Sequence, residues 1–218
     1  MKTTILTLAT VSVAALAVSS VSASALSASA STDLNVRSGP GPQFQIVGVI
    51  QTGDAVEVSG CLSSQEWCEV NGPAGEGWAY APYLVFDNAG APTPLAQMSA
   101  GTVVVVEDTA PRDEATMIGA GMGAIAGAII AGPIGAVAGT MISGIAAHNA
   151  VDPEVSVYVQ ANPVQPVFLS GEAVVGASVP PDVVLYDVPS NQAVAYLNVN
   201  GDTVVIDRET RRIIGVVR

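Results

Sequence analysis

Two cysteines, Cys61 and Cys68, bracket the stretch CLSSQEWC and are the only thiols in the 218-residue chain. In an oxidising compartment an even pair reads as a disulfide. A zinc site is the alternative, but two thiols and one distant His148 do not complete a four-ligand set. The bridge closes a loop of about 8 residues, worth roughly 2.5 kcal/mol on the chain-entropy model. His148 is the only histidine, so any His-based triad would depend on it. It borders a long uncharged run and reads as a helix-end residue. Asp113-Glu114 sits in a polar flank, where solvation is the default for paired carboxylates. H-E-x-x-H, P-loop and G-x-S-x-G patterns are missing, and Gly119, Gly121 and Gly127 do not fit G-x-G-x-x-G. These residues predict a protein that is not an enzyme and that takes no cofactor and no metal.

The remaining charged chemistry is lopsided. Seven basic residues face nineteen acids, for a net charge of -12, and Lys2 is the only lysine. A phosphate backbone would be repelled, which argues against nucleic acid as a partner. Arg208, Arg211, Arg212 and Arg218 crowd the C-terminus. They could hold an anion or carboxylate, or pair with Asp202, Asp207 and Glu209 around a turn.

Elements must position these groups, and the first is a leader. Lys2 gives a short basic start, Ile5 to Val18 is apolar, and Ala23-Ser24-Ala25 and Ala28-Ser29-Ala30 are small-residue cleavage motifs. Residues 1–30 therefore read as a secretory signal peptide, which implies an exported, periplasmic or envelope-associated protein. Residues 31–87 follow as short β-type runs bounded by turns: LNVR, QIVGVI, DAVEVSG, EWCEV and GEGWAY. That spacing predicts a small all-β barrel or sandwich. Alternation in Ala55-Val56-Glu57-Val58 buries Val56 and Val58 and leaves Glu57 outside. Cys61 ends one strand and Cys68 opens the next, so the bridge staples a hairpin. Residues 88–116 read as a linker, richest in Pro, Ala and Gly over 88–101, with one β-branched run at Val103 to Val106.

LNVRSGPG, Gly53-Asp54 before an alternating strand, Trp67, Gly77-Trp78-Ala79-Tyr80 and Tyr83-Leu84 together resemble the bacterial SH3 domain, over about residues 32–86. The resemblance implies an SH3-like β-barrel that binds peptidoglycan, a peptide or another envelope component, without catalysis of its own. It places a candidate ligand surface at Asn35, Arg37, Ser38, Tyr80 and Tyr83.

Residues 117–147 carry no charge and eight glycines. Small residues recur at every fourth position, including Gly119, Gly123, Gly127, Gly135 and Gly139, which puts a close-packing face on a helix. The segment resembles the glycine-zipper segments of bacterial envelope proteins. Each interior glycine costs a helix about 0.8–1 kcal/mol, so packing or lipid must offset the deficit. One straight helix would run about 46 Å, against a hydrocarbon core of about 30 Å. Gly132-Pro133 interrupts it, and the flank from His148 to Asp152 lacks Lys and Arg, against the positive-inside tendency. A helical hairpin is expected, associated with a membrane or with further copies of the chain.

From 152 to 218 β-type runs return. Tyr196 to Val199 and Thr203 to Ile206 flank Asn200-Gly201, a strong hairpin signal. Arg211 to Val217 follows as a strand, and Glu172 to Ala177 and Val183 to Tyr186 are further strand candidates. Asn162-Pro163-Val164, Gly171-Glu172, Val179-Pro180, Leu185-Tyr186, Val199-Asn200 and Thr210-Arg211-Arg212-Ile213 resemble an alphaproteobacterial envelope domain of unknown function, which implies location rather than mechanism. The whole chain thus reads as mainly β with a helical insert: an SH3-like barrel, a central glycine-rich helical hairpin and a small C-terminal β-sheet unit. The function expected is non-catalytic binding of a cell-wall component or envelope peptide, with membrane association or a homo-oligomer through the hairpin. The rival is a structural or pore-forming glycine-zipper oligomer.

Overall fold

The computed structural model describes residues 26–88, 91–98, 102–106 and 151–218. The expected helical hairpin at 117–147, with Gly119, Gly123, Gly127, Gly135 and Gly139, lies outside the described residues, as do residues 1–25 and His148.

The N-terminal module is one eight-stranded sheet. Its strands are β1 (Leu26–Ala30), β2 (Leu34–Arg37), β3 (Ile46–Ile50), β4 (Ala55–Cys61), β5 (Trp67–Gly72), β6 (Gly75–Tyr80), β7 (Leu84–Asn88) and β8 (Ala91–Pro94), in the order β3-β2-β6-β5-β4-β1-β7-β8. Period-two alternation works as expected in β4, where Val56 and Val58 are buried and Glu57 is exposed. Cys61 and Cys68 are cross-strand partners in the β4–β5 hairpin and are disulfide-bonded.

Two boundaries differ from the sequence reading. Leu26–Ala30, expected to close the signal peptide, forms β1 between β4 and β7 and buries Ala28 and Ala30. The folded module therefore begins inside the stretch assigned to the leader. The start of the expected linker is likewise structured. β8 returns along β7, and a short 3-10 turn at Leu95–Gln97 buries Leu95. The Val103–Val106 run then lies beside the disulfide, with Cys61 N–H donating to Val104 O at 2.8 Å and Val106 N–H to Cys61 O at 3.0 Å.

The C-terminal module holds α1 (Pro153–Ala161), β9 (Pro166–Val167), β10 (Tyr186–Asp187), β11 (Val194–Val199), β12 (Asp202–Asp207) and β13 (Arg212–Val217). The sheet runs β10-β11-β12-β13, with β9 paired in parallel to β11. Asn200 and Gly201 form the expected two-residue turn, both at positive φ (56° and 95°). Helix α1 stands where β-type runs were expected. Asp152 caps it by accepting from Glu154 N at 2.8 Å, and Pro153 sits in its first turn. Glu172 to Ala177 is not a strand, and of Val183 to Tyr186 only Tyr186 joins one.

The C-terminal sheet is covered on both faces. Leu197, Val199, Val204 and Ile206 join a cluster that also contains Leu34, Val36, Val58, Leu84 and Phe86 of the N-terminal module. The alternate residues Val194, Tyr196 and Val205 pack with Val155 and Val159, one turn apart on α1. Two-sided burial is why β11 and β12 read as nearly continuous apolar runs. The two modules therefore share one hydrophobic core.

Candidate functional site

The turn after β2 positions the first candidate residues. Ser38 to Gly41 folds over Phe44, which is buried. A Cβ at Gly39 would sit 2.4 Å from the Phe44 ring, so only glycine allows this approach. Inside the turn lies Arg37, fully buried, with Nη1 donating to Pro42 O at 3.0 Å and to Phe44 O at 2.8 Å. The other edge of its guanidinium meets Glu172 of the C-terminal module: Nε to Oε2 at 2.7 Å and Nη2 to Oε1 at 2.6 Å. Both side chains are 0% exposed. This is a two-pronged, charge-assisted pair, the geometry that guanidinium and carboxylate favour.

Asn35 extends the network. Its Nδ2 donates to Glu172 Oε1 at 3.1 Å and to Asp202 Oδ2 at 2.7 Å, and its Oδ1 accepts from Arg218 Nη2 at 3.2 Å. Burial pushes the Asp202 carboxyl above its usual range; the Asn35 hydrogen bond and Arg218 pull it back only in part. The hairpin tip completes the arrangement. Asn200 O accepts from Arg37 Nη1 at 3.0 Å, while the Asn200 side chain bonds Leu169 N, Leu169 O and Gly171 O. Asn200 thus fixes the loop that presents Glu172. Among the described residues no buried side-chain polar atom lacks a partner.

The expected ligand surface is divided by this geometry. Asn35 and Arg37 come together but face the C-terminal module, buried and fully engaged. Ser38 is exposed, and its backbone N–H bonds Gln45 O. Tyr80 is half-buried and Tyr83 buried, with ring centroids 5.9 Å apart; Tyr80 also stacks edge-on against Trp67. Burial raises both phenols, with Glu66 and Glu172 adding at Tyr80, and Tyr80 and Glu172 at Tyr83. The C-terminal arginines do not converge. Arg208 pairs with Asp187 at 2.6 Å, Arg211 caps the carbonyls of Val179, Pro180 and Val183, Arg212 bonds Gly176 O, and Arg218 reaches Asn35 and Asp202. Sequence reasoning did not find Glu172, Asn200 or Asp202 as site residues. The available signal was a Gly171-Glu172 pair and a turn asparagine, neither of which announces a partner in another module.

Residues 32–85 match the family model of the bacterial SH3 domain, and residues 158–218 match a domain of unknown function (DUF1236). No curated protein and no solved structure matches the chain.

Proposed function

We propose that the chain is a non-catalytic cell-envelope protein whose SH3-like module binds peptidoglycan or an envelope peptide. The match to the bacterial SH3 domain over 32–85 carries this reading, because such domains commonly bind cell-wall peptides. The Cys61–Cys68 disulfide is consistent with an exported protein, since such bonds persist in oxidising compartments. The charges closest to the site are used to join the modules, which favours a binding role over acid–base chemistry. Ser38 and Tyr80 are the members of the candidate surface that solvent reaches. The glycine pattern of 117–147 supports attachment to a membrane or to further copies, through close helix approach.

Cosedimentation of the exported full-length chain with purified cell-wall sacculi tests the reading. The protein is expected in the pellet and is expected to return to the supernatant when the wall is digested with a muramidase. A chain that stays in solution with intact sacculi, and binds no stem peptide released from them, removes the wall-binding reading.

A further inference from the structure

Two of the three bonds from Arg37 Nη1 go to Pro42 and Phe44, within the same module and only five and seven residues away. Those two hold the guanidinium from within the SH3-like module, and the third, to Asn200 O at 3.0 Å, adds the C-terminal hairpin tip on the same nitrogen. The free fork of Nε and Nη2 is thereby aimed out of the SH3-like module. Asn35 lies two positions earlier on β2, so its side chain falls on the same face of the strand. Its Nδ2 adds a third donor to the same carboxylate at 3.1 Å. Three donors from one strand, converging on one planar acceptor, are what recognition of a carboxylate requires. The acceptor comes from 135 residues away, on a loop outside any regular element. Ala173 N–H, at 3.1 Å, completes the coordination of Glu172 Oε1.

We infer that Asn35 and Arg37 form a preformed carboxylate receptor of the SH3-like module, and that Glu172 is its ligand in cis. A carboxylate-bearing envelope peptide reaches the receptor only by displacing Glu172. That second half rests on the ligand-binding reading above; the first half does not. Filling such a site from within is a costly way to gain stability alone. A buried ion pair is often no better than an apolar replacement, because both charges must be desolvated.

Glu172→Gly in the full-length chain removes the carboxylate and leaves a hole of its size. Thermal unfolding is followed in sodium propionate, propionamide and sodium chloride, with ionic strength held equal. Propionate is expected to recover most of the lost Tm, propionamide and chloride little. The recovery is expected to vanish in the Glu172→Gly/Arg37→Met double variant. Equal effects of propionate and propionamide, or rescue that survives loss of Arg37, overturn the receptor. Should Glu172→Gly not fold, Glu172→Gln decides. Its neutral amide is a weaker cis ligand, so acetyl-trialanine with a free carboxylate is expected to bind it roughly tenfold tighter than the parent, a shift of about 1.4 kcal/mol. The amidated peptide is expected to bind neither. Equal affinity for the two chains overturns the proposal. Selective rescue without retention on sacculi leaves the receptor standing and removes the cell-wall reading. Retention without rescue does the reverse.

Discussion

Asp202 shows how one buried side chain can set a pH dependence. Its carboxylate lies between Asn35 Nδ2 and Arg218 Nε, the latter at 4.0 Å, yet burial dominates and the folded-state pKa stands above the ordinary value of 3.8. For an acid with a raised folded pKa, the folded state holds the proton more tightly than the unfolded chain does. The stability it contributes is fully present below the unfolded pKa and is lost as pH rises through the folded one. The parent chain is therefore expected to lose stability relative to Asp202→Asn as pH rises from about 4 to 7, since the amide keeps the Asn35 contact and does not ionise. Urea midpoints of the two proteins across that range check the sign. A gap that is constant, or that widens in the parent's favour, contradicts it. Asp207 runs the other way: the Thr210 hydroxyl at 2.6 Å and the Thr210 backbone N–H at 2.8 Å hold its carboxyl below the usual range. Its contribution is present above 3.8 and lost as pH falls through the lower folded value.

At the scale of elements, what could be read from sequence followed local physics, and what could not followed from neighbours distant in the chain. The Asn200-Gly201 hairpin, the buried valines of β4 and the Cys61–Cys68 staple each depend on a few adjacent residues. Helix α1 was missed because Val155, Val157 and Val159 carry β propensity and alternate like a strand. The Asp152-Pro153 start was the contrary signal, and burial against β11 and β12 decided the outcome. Asn35 and Arg37 could be picked out, but not their partners, because Glu172 and Asp202 lie 135 or more residues away. Strand β1 was hidden by its composition, since LSASA satisfies the small-residue rule for signal cleavage as well as the steric needs of a central strand. Only Ala23-Ser24-Ala25 precedes that strand; Ala28-Ser29-Ala30 lies within it. A chain beginning at Leu26 is expected to fold. One beginning at Ser31 leaves β4 and β7 without their shared neighbour. That loss should remove much of a domain's total stability of about 5–15 kcal/mol. Circular dichroism melts of the two purified chains make the comparison, and equal Tm values would show that β1 is dispensable.

At the scale of the whole molecule, the two family matches divide the chain where the structure does not. Leu34, Val36 and Phe86 from one match or its immediate flank share a single apolar cluster with Leu169, Leu197 and Ile206 from the other. The Arg37–Glu172 pair sits fully buried in the same contact. Pulling the modules apart would expose the inner face of the C-terminal sheet and strand both charges. Breaking such a buried pair alone costs on the order of 3–5 kcal/mol. Neither module should therefore persist folded while the other unfolds, despite their separate recognition by sequence. Native-state hydrogen exchange tests this directly. The slowest amides of β4 and β5 and those of β11 and β12 are expected to open with the same free energy, equal to that from global urea unfolding followed by Trp67 and Trp78 fluorescence. If the β11–β12 amides opened at a distinctly lower free energy while β4 and β5 stayed protected, the modules would be independent folding units. The contact at Glu172 would then be a docking surface between them rather than part of a common core.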